Sequence, residues 1–407
     1  MFVRVWSVYR SAFSGLPRQV WILAGIALVN RAGTMVFPFL SLYFTQSRGL
    51  SISVAGRIIS FYGLGAIVGA WSGGYLSDRI GPVRTQQWSL LLSGFGFLAF
   101  LRVDSILGMS VGGFLLGAIV ESFRPANMAA LSHAAPRGAQ ARSFGLLRLC
   151  VNLGMGIGPA VGGLLAVLGY HWLFIVDAST CWIAAVLLGF AIGNERVERN
   201  KKSEPSEGRV ALSPLQDRPF LLLLALVFLV ALLFFQVFTV LPLFLKQDLG
   251  FREDHVGAVL AFNALLIVLF EMPLTSWSER RDRMLIVAWG ALLVGAGLAL
   301  TPWGVAVPWL LFSVSVWTFG EMLVLPMFNA VIAGRADPKM MGRYMGFYTM
   351  AFSLAFVVAP SLGAWTYATY GGKTLWTACG ILGLVAASGC YLLRNAIQSP
   401  QVPALLE

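Results

Sequence analysis

The sequence predicts an all-α membrane protein with twelve transmembrane helices arranged in two six-helix repeats. Apolar runs of about 20 residues, the length that crosses a bilayer, follow one another along the chain. Hydrophobic residues make up 58% of the 407 residues and charged residues only 12%, against about 25% charge in a typical soluble domain. The second half also repeats glycine, proline, tryptophan and arginine positions of the first half at an offset of 201 residues.

The apolar runs place each predicted span. The twelve spans lie at 18–44, 53–77, 85–101, 106–131, 140–168, 170–192, 218–246, 252–276, 284–302, 306–333, 342–370 and 373–395. The polar stretch between the sixth and seventh spans has the composition of a flexible linker. We therefore expect an N-terminal six-helix half at 1–192, a cytoplasmic linker at 193–217 and a C-terminal six-helix half at 218–407.

The basic residues orient these spans, because Lys and Arg are enriched in cytoplasmic loops. If the N-terminus is cytoplasmic, 20 of them lie on the cytoplasmic side and six on the other side. The sequence thus predicts a multi-pass protein of the bacterial inner membrane with both termini in the cytoplasm. The net charge of +11 is spread over the breaks between apolar runs, which argues against a nucleic-acid partner.

The offset of 201 residues aligns the two halves without a gap. It pairs Gly56 with Gly257, Trp88 with Trp289, Pro125 with Pro326, Pro159 with Pro360, and Gly162 with Gly363. The charged turn at 77–79 falls on a second one at 278–280. Repeats of six spans have the same orientation in the membrane, so we expect substrate to bind between the halves and to move by alternating access.

A short charged turn separates the second and third predicted spans. It reads Gly74-x-Leu76-x-Asp78-Arg79-x-Gly81, with Arg84 shortly after, and it must lie at a water interface because charged turns do not face lipid. This motif, the twelve spans and the repeat together resemble the major facilitator superfamily over essentially the whole chain, although Pro82 replaces a usual basic residue. The resemblance implies that fold and a conformational latch formed by Gly74, Asp78, Arg79, Gly81 and Arg84. An ordinary solvated charge pair is the alternative.

The fifth predicted span carries the pattern Gly154-x-x-x-Gly158-Pro159-x-x-Gly162-Gly163. Glycines four residues apart form a flat stripe for close helix packing, and the proline kinks the helix. The pattern resembles the motif of the twelve-span drug:proton antiporter branch, which implies export rather than uptake. Plain helix packing is the alternative.

Ionisable side chains within the spans are candidates for proton coupling or substrate binding, because charge at bilayer depth is costly. They are Arg31, Glu121, Arg124, Arg148, Glu271 and Glu321. For Glu121, proton coupling and pairing with Arg124 or Arg31 are both open. The pattern Glu121-x-x-Arg124-Pro125 departs from the arginine motif of proton antiporters. Glu271 lies toward the cytoplasmic end of its span, where access to water makes its charge a weaker indication of function. Asp177, near the outer surface, is expected to act as a cap or interface anchor.

Glu321 is the strongest of these candidates. It lies near the middle of the tenth span, which contains no Lys or Arg to hold it ionised. Coupling needs a carboxyl group that takes up a proton on one side and releases it on the other. The pattern Gly320-Glu321-x-x-x-x-Pro326 also resembles the tenth span of LmrP-type and MdtH-type multidrug exporters, in which such a glutamate serves coupling or cation binding.

These features predict a secondary active transporter rather than an enzyme. The chain has no P-loop, and its four cysteines lie in apolar runs, so we expect free thiols, no metal site and no cofactor. We expect proton-coupled export of amphipathic or cationic small molecules by a monomer in the lipid bilayer. A metabolite or lipid carrier of the same fold and a non-transporting sensor are the alternatives.

Overall fold

The computed structural model describes residues 15–136, 139–192, 214–278, 281–335 and 341–398, and within them it contains helices and no strand. The helices are α1 (Arg18–Ala32), α2 (Val36–Leu42), α3 (Ile52–Ile80), α4 (Pro82–Phe100), α5 (Ile106–Glu121), α6 (Phe123–Ala134), α7 (Gln140–Leu168), α8 (His171–Ile192), α9 (Arg218–Thr239), α10 (Leu241–Gln247), α11 (Glu253–Ser278), α12 (Arg283–Leu300), α13 (Val307–Arg335) and α14 (Met341–Gln398). Most of the predicted linker, 193–213, and positions 279–280 of the second charged turn lie outside the described residues.

Ten segments of the described chain are long and apolar enough to cross a membrane. The last of them, Arg343–Ile397, has 55 residues, and at about 1.5 Å per residue it exceeds twice the roughly 30 Å bilayer core. It is broken at Gly371, whose φ is 83°. The 19-residue α4 is not among the ten. The all-α membrane prediction is confirmed, while the ten segments do not by themselves establish twelve crossings.

Several predicted spans are built from two consecutive helices. The fourth is interrupted after Glu121, because Pro125 has no N–H to donate to the Glu121 carbonyl. The seventh is interrupted between α9 and α10 for the same reason, since Pro242 lies close to the start of α10. The first is interrupted between α1 and α2 around Gly33. At such breaks some backbone groups lack their usual partner within the helix.

The chain divides into two compact units. Unit 1 comprises the described residues within Met1–Tyr43, Phe61–Lys202 and Arg252–Ala264, and unit 2 those within Phe44–Ser60, Ser203–Phe251 and Leu265–Glu407. In unit 1, α1 packs on α7 and α8, and α4 packs on α8. In unit 2, α14 packs on α9 and α12, and α12 packs on α13. Unit 1 includes residues 252–264 from the second predicted half, and unit 2 includes residues 44–60 from the first. The division into two six-helix halves stays a prediction.

The two exchanged segments make equivalent contacts. An added Cβ at Gly56 would lie 2.7 Å from the carbonyl oxygen of Pro360. One at Gly257 would meet the carbonyl oxygen of Pro159. Gly56 and Gly257 are 201 residues apart, as are Pro159 and Pro360. The repeat read from the sequence therefore recurs as a repeat of backbone contacts, one in each unit.

Candidate functional site

A single residue, Gly81, joins α3 to α4. Its φ of 94° lies in the left-handed region that favours glycine. Pro82 is the first residue of α4, where a missing N–H costs nothing. The N–H and the hydroxyl of Thr85 donate to the Gly81 carbonyl at 3.1 and 2.9 Å. The charged turn is therefore short and locally braced.

The charged side chains of this turn are exposed. The guanidinium of Arg79 lies over the ring of Tyr75, 4.8 Å from its centroid, and Tyr75 stacks on Trp71 at 5.8 Å. Asp78 and Arg84 are exposed as well, and Asp78 makes no hydrogen bond or ion pair within the part of the chain that the structure describes. The latch role of these residues stays a prediction.

Close packing next to the turn depends on Gly73 rather than on Gly74 of the motif. An added Cβ at Gly73 would collide with the backbone of Ser122, whereas one at Gly74 would have no heavy atom within 4 Å. Gly69 and Gly65 make the same kind of contact one and two turns earlier, against the α5 backbone. This glycine row holds α3 directly on α5 and places Glu121 beside α3.

The glycines of the antiporter-type motif in α7 lie against the break between α1 and α2. An added Cβ at Gly154 would lie 2.6 Å from the Cβ of Arg31, and one at Gly158 would lie 3.1 Å from the Arg31 carbonyl oxygen. One at Gly162 would lie 3.1 Å from the Cβ of Met35. Because larger side chains have no room here, these glycines allow α7 to approach the break closely.

Gly163 and Pro159 lie on the part of α7 that packs on the start of α11. An added Cβ at Gly163 would lie 2.6 Å from the Glu253 carbonyl oxygen. In the turn after α7, the hydroxyl of Tyr170 donates to Glu253 Oε1 at 2.9 Å. Burial, together with the charge and hydrogen bond of Glu253, raises the pKa of Tyr170. The motif thus has a packing role on two neighbours, and its link to export stays a prediction.

Asp177 holds the break between α1 and α2 from α8. The N–H groups of Met35 and Val36 each donate to its carboxylate at 3.0 Å, and its side chain is fully buried. The first N–H groups of a helix lack partners within the helix, and here Asp177 supplies them across 141 to 142 residues of chain. The cap role expected for Asp177 is confirmed.

Tyr62 of α3 lies among the charged residues of unit 1. The charges of Glu121, Arg31 and Asp177 are all close enough to act on its hydroxyl, and the residue is only 7% exposed. A tyrosine in an apolar run carries no formal charge, so the sequence pattern did not point to it. Its ring contacts that of Phe37, with the centroids 5.6 Å apart.

The structure separates some of the predicted charged residues in unit 1. Arg31 and Glu121 are half-buried, whereas Arg124 and Arg148 are exposed. Glu121 makes no ion pair with Arg31 or Arg124, and all three lie in the described part of the chain. Direct pairing, one of the two alternatives for Glu121, is therefore not formed in this structure.

Glu321 of α13 lines a small concavity within unit 2, whose volume is about 10 Å³. Its other lining residues are Val230, Phe234 and Val237 from α9, Val294 from α12, and Trp317, Val324 and Leu325 from α13. An added Cβ at Gly320 would lie 2.6 Å from the Gly290 carbonyl oxygen, so this glycine lets α13 approach α12 closely. The carboxyl group is therefore placed by helix packing in an otherwise apolar lining.

A buried ion pair lies at the start of α9. Arg335 and Tyr344 donate to the carboxylate of Asp217, which also accepts the N–H of Phe220. Burial alone raises the pKa of Asp217, but the hydrogen bonds and charge of Arg335 outweigh it, so the pKa is lowered from its usual value. The sequence pattern missed this pair, because each partner lies at the end of an apolar run and resembles an ordinary loop charge.

The sequence profile of the Major Facilitator Superfamily matches residues 21–360 and, in a second overlapping match, residues 246–405. The chain belongs to the Major Facilitator Superfamily. It is therefore a multi-pass membrane transporter, as the motifs indicated. A crystal structure of a POT family transporter in complex with 5-aminolevulinic acid has the same fold, with a TM-score of 0.82, 16% identity and coverage of 95% of this chain and 98% of that chain.

Two relatives that are named for their activity align with most of the chain. The "Na(+), Li(+), K(+)/H(+) antiporter" of Planococcus maritimus is 27% identical over 83% of this chain and 87% of its own length. The "Multidrug resistance protein MdtH" of Yersinia pestis is 26% identical over 89% of this chain and 90% of its own length. Both names belong to membrane transporters, which places this member of the superfamily among antiporter-type and multidrug-type relatives.

Proposed function

We propose that this transporter exports amphipathic or cationic small molecules in exchange for protons by alternating access. Membership of the superfamily and the two named relatives support transport of this class. The observation that carries the proposal is the position of Glu321, a half-buried carboxyl group in an otherwise apolar concavity. A lipophilic cation requires both an anion and an apolar surface, and this concavity offers both.

The residues around Glu321 suggest how exchange would work. The valines and the rings of Phe234 and Trp317 would remove the apolar part of a substrate from water, and an aromatic face also attracts a cation. A protonated Glu321 is neutral and has little attraction for a cation, whereas an ionised Glu321 pairs with it. Competition between proton and substrate for one carboxyl group is sufficient for antiport.

The remaining expectations follow from this proposal. We infer a bacterial inner-membrane location with both termini in the cytoplasm, a monomer in the bilayer, and the proton gradient as the energy source without a bound cofactor. The glycine pattern of α7 supports export, and the charged turn around Asp78 would act as a latch in the conformational cycle. Glu121 and Arg31, both half-buried in unit 1, would be further groups for proton coupling or substrate binding.

Exchange of inorganic monovalent cations for protons is a second candidate, favoured by the name of the Planococcus maritimus relative. Hard cations are held by several oxygen ligands, whereas the concavity around Glu321 is lined otherwise by apolar side chains. Among the described residues, no group of three or more His, Cys, Asp or Glu side chains is placed to hold a metal ion, and the four cysteines are free thiols. An organic cation therefore fits better.

Everted membrane vesicles from expressing cells test both candidates. With an established proton gradient, we expect a fluorescent lipophilic cation to accumulate in the vesicles and to stop accumulating when a protonophore is added. Added Na⁺ should dissipate the proton gradient no more than it does in vesicles that lack the protein. Dye transport that persists without a gradient at constant ATP would contradict proton coupling, and Na⁺-driven proton release without dye transport would favour the second candidate.

A further inference from the structure

An exposed arginine lies on an exposed aromatic ring just beyond the end of α11. The Cζ of Arg281 is 4.2 Å from the centroid of the Trp277 ring, and Trp277 is 48% exposed. Stacking covers one face of the guanidinium but leaves its in-plane N–H donors available. The pair therefore presents a positioned cation that is ready for an oxygen acceptor.

A second arginine reaches the same turn from α14. Arg394 Nε lies 3.7 Å from Asp282 Oδ2, and its Cζ lies 5.3 Å from the centroid of the exposed Tyr391 ring. Arg283 is also exposed in this region. Among the described residues of this region, three arginines, Arg281, Arg283 and Arg394, accompany one acidic residue, Asp282, which gives a net charge of +2.

An exposed apolar row along α11 ends at the tryptophan on which this arginine lies. The row has a member at every fourth position, Leu265, Leu269, Pro273 and Trp277, and all four are exposed. Residues four apart lie on one face of a helix. The helix ends at Ser278, directly after the last member of this row, Trp277, whose ring carries the guanidinium of Arg281. An apolar stripe along a membrane-crossing helix thus ends in a cation at the membrane–water interface.

We propose that Trp277, Arg281 and Arg394 bind the headgroup of an anionic phospholipid whose acyl chain lies along the α11 row. Arginines at a membrane surface attract anionic headgroups, and aromatic rings prefer the same interfacial depth. The apolar row favours a lipid over free phosphate, because a soluble anion would have no use for it. The first charged turn contains a similar pair, Arg79 over Tyr75, but there no second arginine is joined to the turn by a described ion pair.

Thermal unfolding of the full chain in detergent micelles tests this site. Dioleoylphosphatidylglycerol, dioleoylphosphatidylcholine or inorganic phosphate is titrated, and the half-saturating concentration for the rise in melting temperature is measured. We expect a rise with phosphatidylglycerol only. Arg281→Ala should raise the half-saturating concentration about fivefold and the Arg281→Ala/Arg394→Ala double variant about 25-fold, because each arginine near an anionic surface contributes about that factor. Arg102→Ala, which removes an exposed arginine from the turn after α4, should leave it unchanged.

Three results would overturn the proposal. The first is an equal rise in melting temperature with both lipids, or a rise with inorganic phosphate alone. The second is a half-saturating concentration of phosphatidylglycerol that stays at the wild-type value in the Arg281→Ala and double variants. The third is an increase of that concentration in Arg102→Ala as large as in Arg281→Ala. Arg281→Lys keeps the charge and loses the planar stack, so it should weaken binding less than Arg281→Ala and serves where truncation impairs folding. Native mass spectrometry provides a second readout, in which wild type should retain phosphatidylglycerol and the double variant should lose it.

Discussion

Arg335 and Asp217 form a two-bond ion pair in which Nε and Nη2 each donate to a different carboxylate oxygen at 2.7 Å. The side chains are only 7% and 2% exposed. Arg335 Nη1 also donates to the carbonyl oxygens of Ala396 and Ile397 at 3.2 and 2.8 Å. One guanidinium therefore ties the start of α9, the end of α13 and the last turn of α14 together.

Arg335→Leu should strongly destabilise unit 2. The change leaves the carboxylate of Asp217 buried without its cation, and such a loss costs about 3–5 kcal/mol. The melting temperature of the purified protein measures it, with Arg218→Leu as the matched control because Arg218 is exposed and adjacent to Asp217. Adding Asp217→Asn to Arg335→Leu should restore part of the loss. Equal melting temperatures for Arg335→Leu and Arg218→Leu would contradict this role.

The stability of this region should fall in acid. Since the pKa of Asp217 is lowered in the folded protein, the charged pair contributes its full stability above the unfolded-state pKa of about 3.9. That contribution is lost as the pH falls below this value and through the folded pKa. Melting temperatures of wild type should therefore decline more steeply below about pH 4 than those of Asp217→Asn. Parallel curves for the two proteins would show that the pair does not titrate in this range.

Glu321→Gln should abolish gradient-driven export while the protein still inserts and folds. The amide imitates the protonated carboxyl group, so cationic substrates should bind more weakly. Export by everted vesicles and the melting temperature are measured together, with Asp104→Asn as control because Asp104 lies in the exposed turn between α4 and α5.

The alternative role of Glu321 is a hydrogen bond that holds neighbouring helices. In that case Glu321→Gln would transport nearly normally, while Glu321→Ala would lower the melting temperature. A Gln variant that is active and still proton-coupled rules out the coupling role. The two variants therefore separate chemistry from packing.

Asp177→Ala should destabilise unit 1, because it leaves the N–H groups of Met35 and Val36 buried without acceptors. Each unsatisfied buried group costs about 1–3 kcal/mol. Asp177→Asn retains one carbonyl acceptor and should cost less. The melting temperature distinguishes the two variants, and an Ala variant as stable as wild type would show that the cap adds little.

Asp78→Asn should leave folding unchanged and slow transport. Asp78 is exposed and has no described partner in this structure, so its removal has little to disturb in the fold. If it contacts another part of the protein during the transport cycle, the rate of dye export should fall while half-saturation by substrate is retained. Wild-type export rates would instead identify Asp78 as an ordinary solvated charge.

The sequence by itself determined the class of this protein, because the signals for class are local. Apolar run length reports membrane crossing, and the motif Gly74-x-Leu76-x-Asp78-Arg79-x-Gly81 marked the superfamily. The tight turn at Gly81 could also be expected, since glycine followed by proline both ends a helix and starts the next one. The repeat at 201 residues was readable because glycines and prolines are scarce enough for chance matches to stand out.

Only the tertiary structure decided which side chains meet. The pairing of Asp217 with Arg335 spans 118 residues, and the capping of α2 by Asp177 spans 141 to 142. The tertiary structure also showed that Gly73, not Gly74, makes the close contact with the backbone of Ser122. Such contacts depend on how each helix is rotated about its axis and where its breaks fall. Rotation is set by packing against helices distant in sequence, so neighbouring residues along the chain do not encode it.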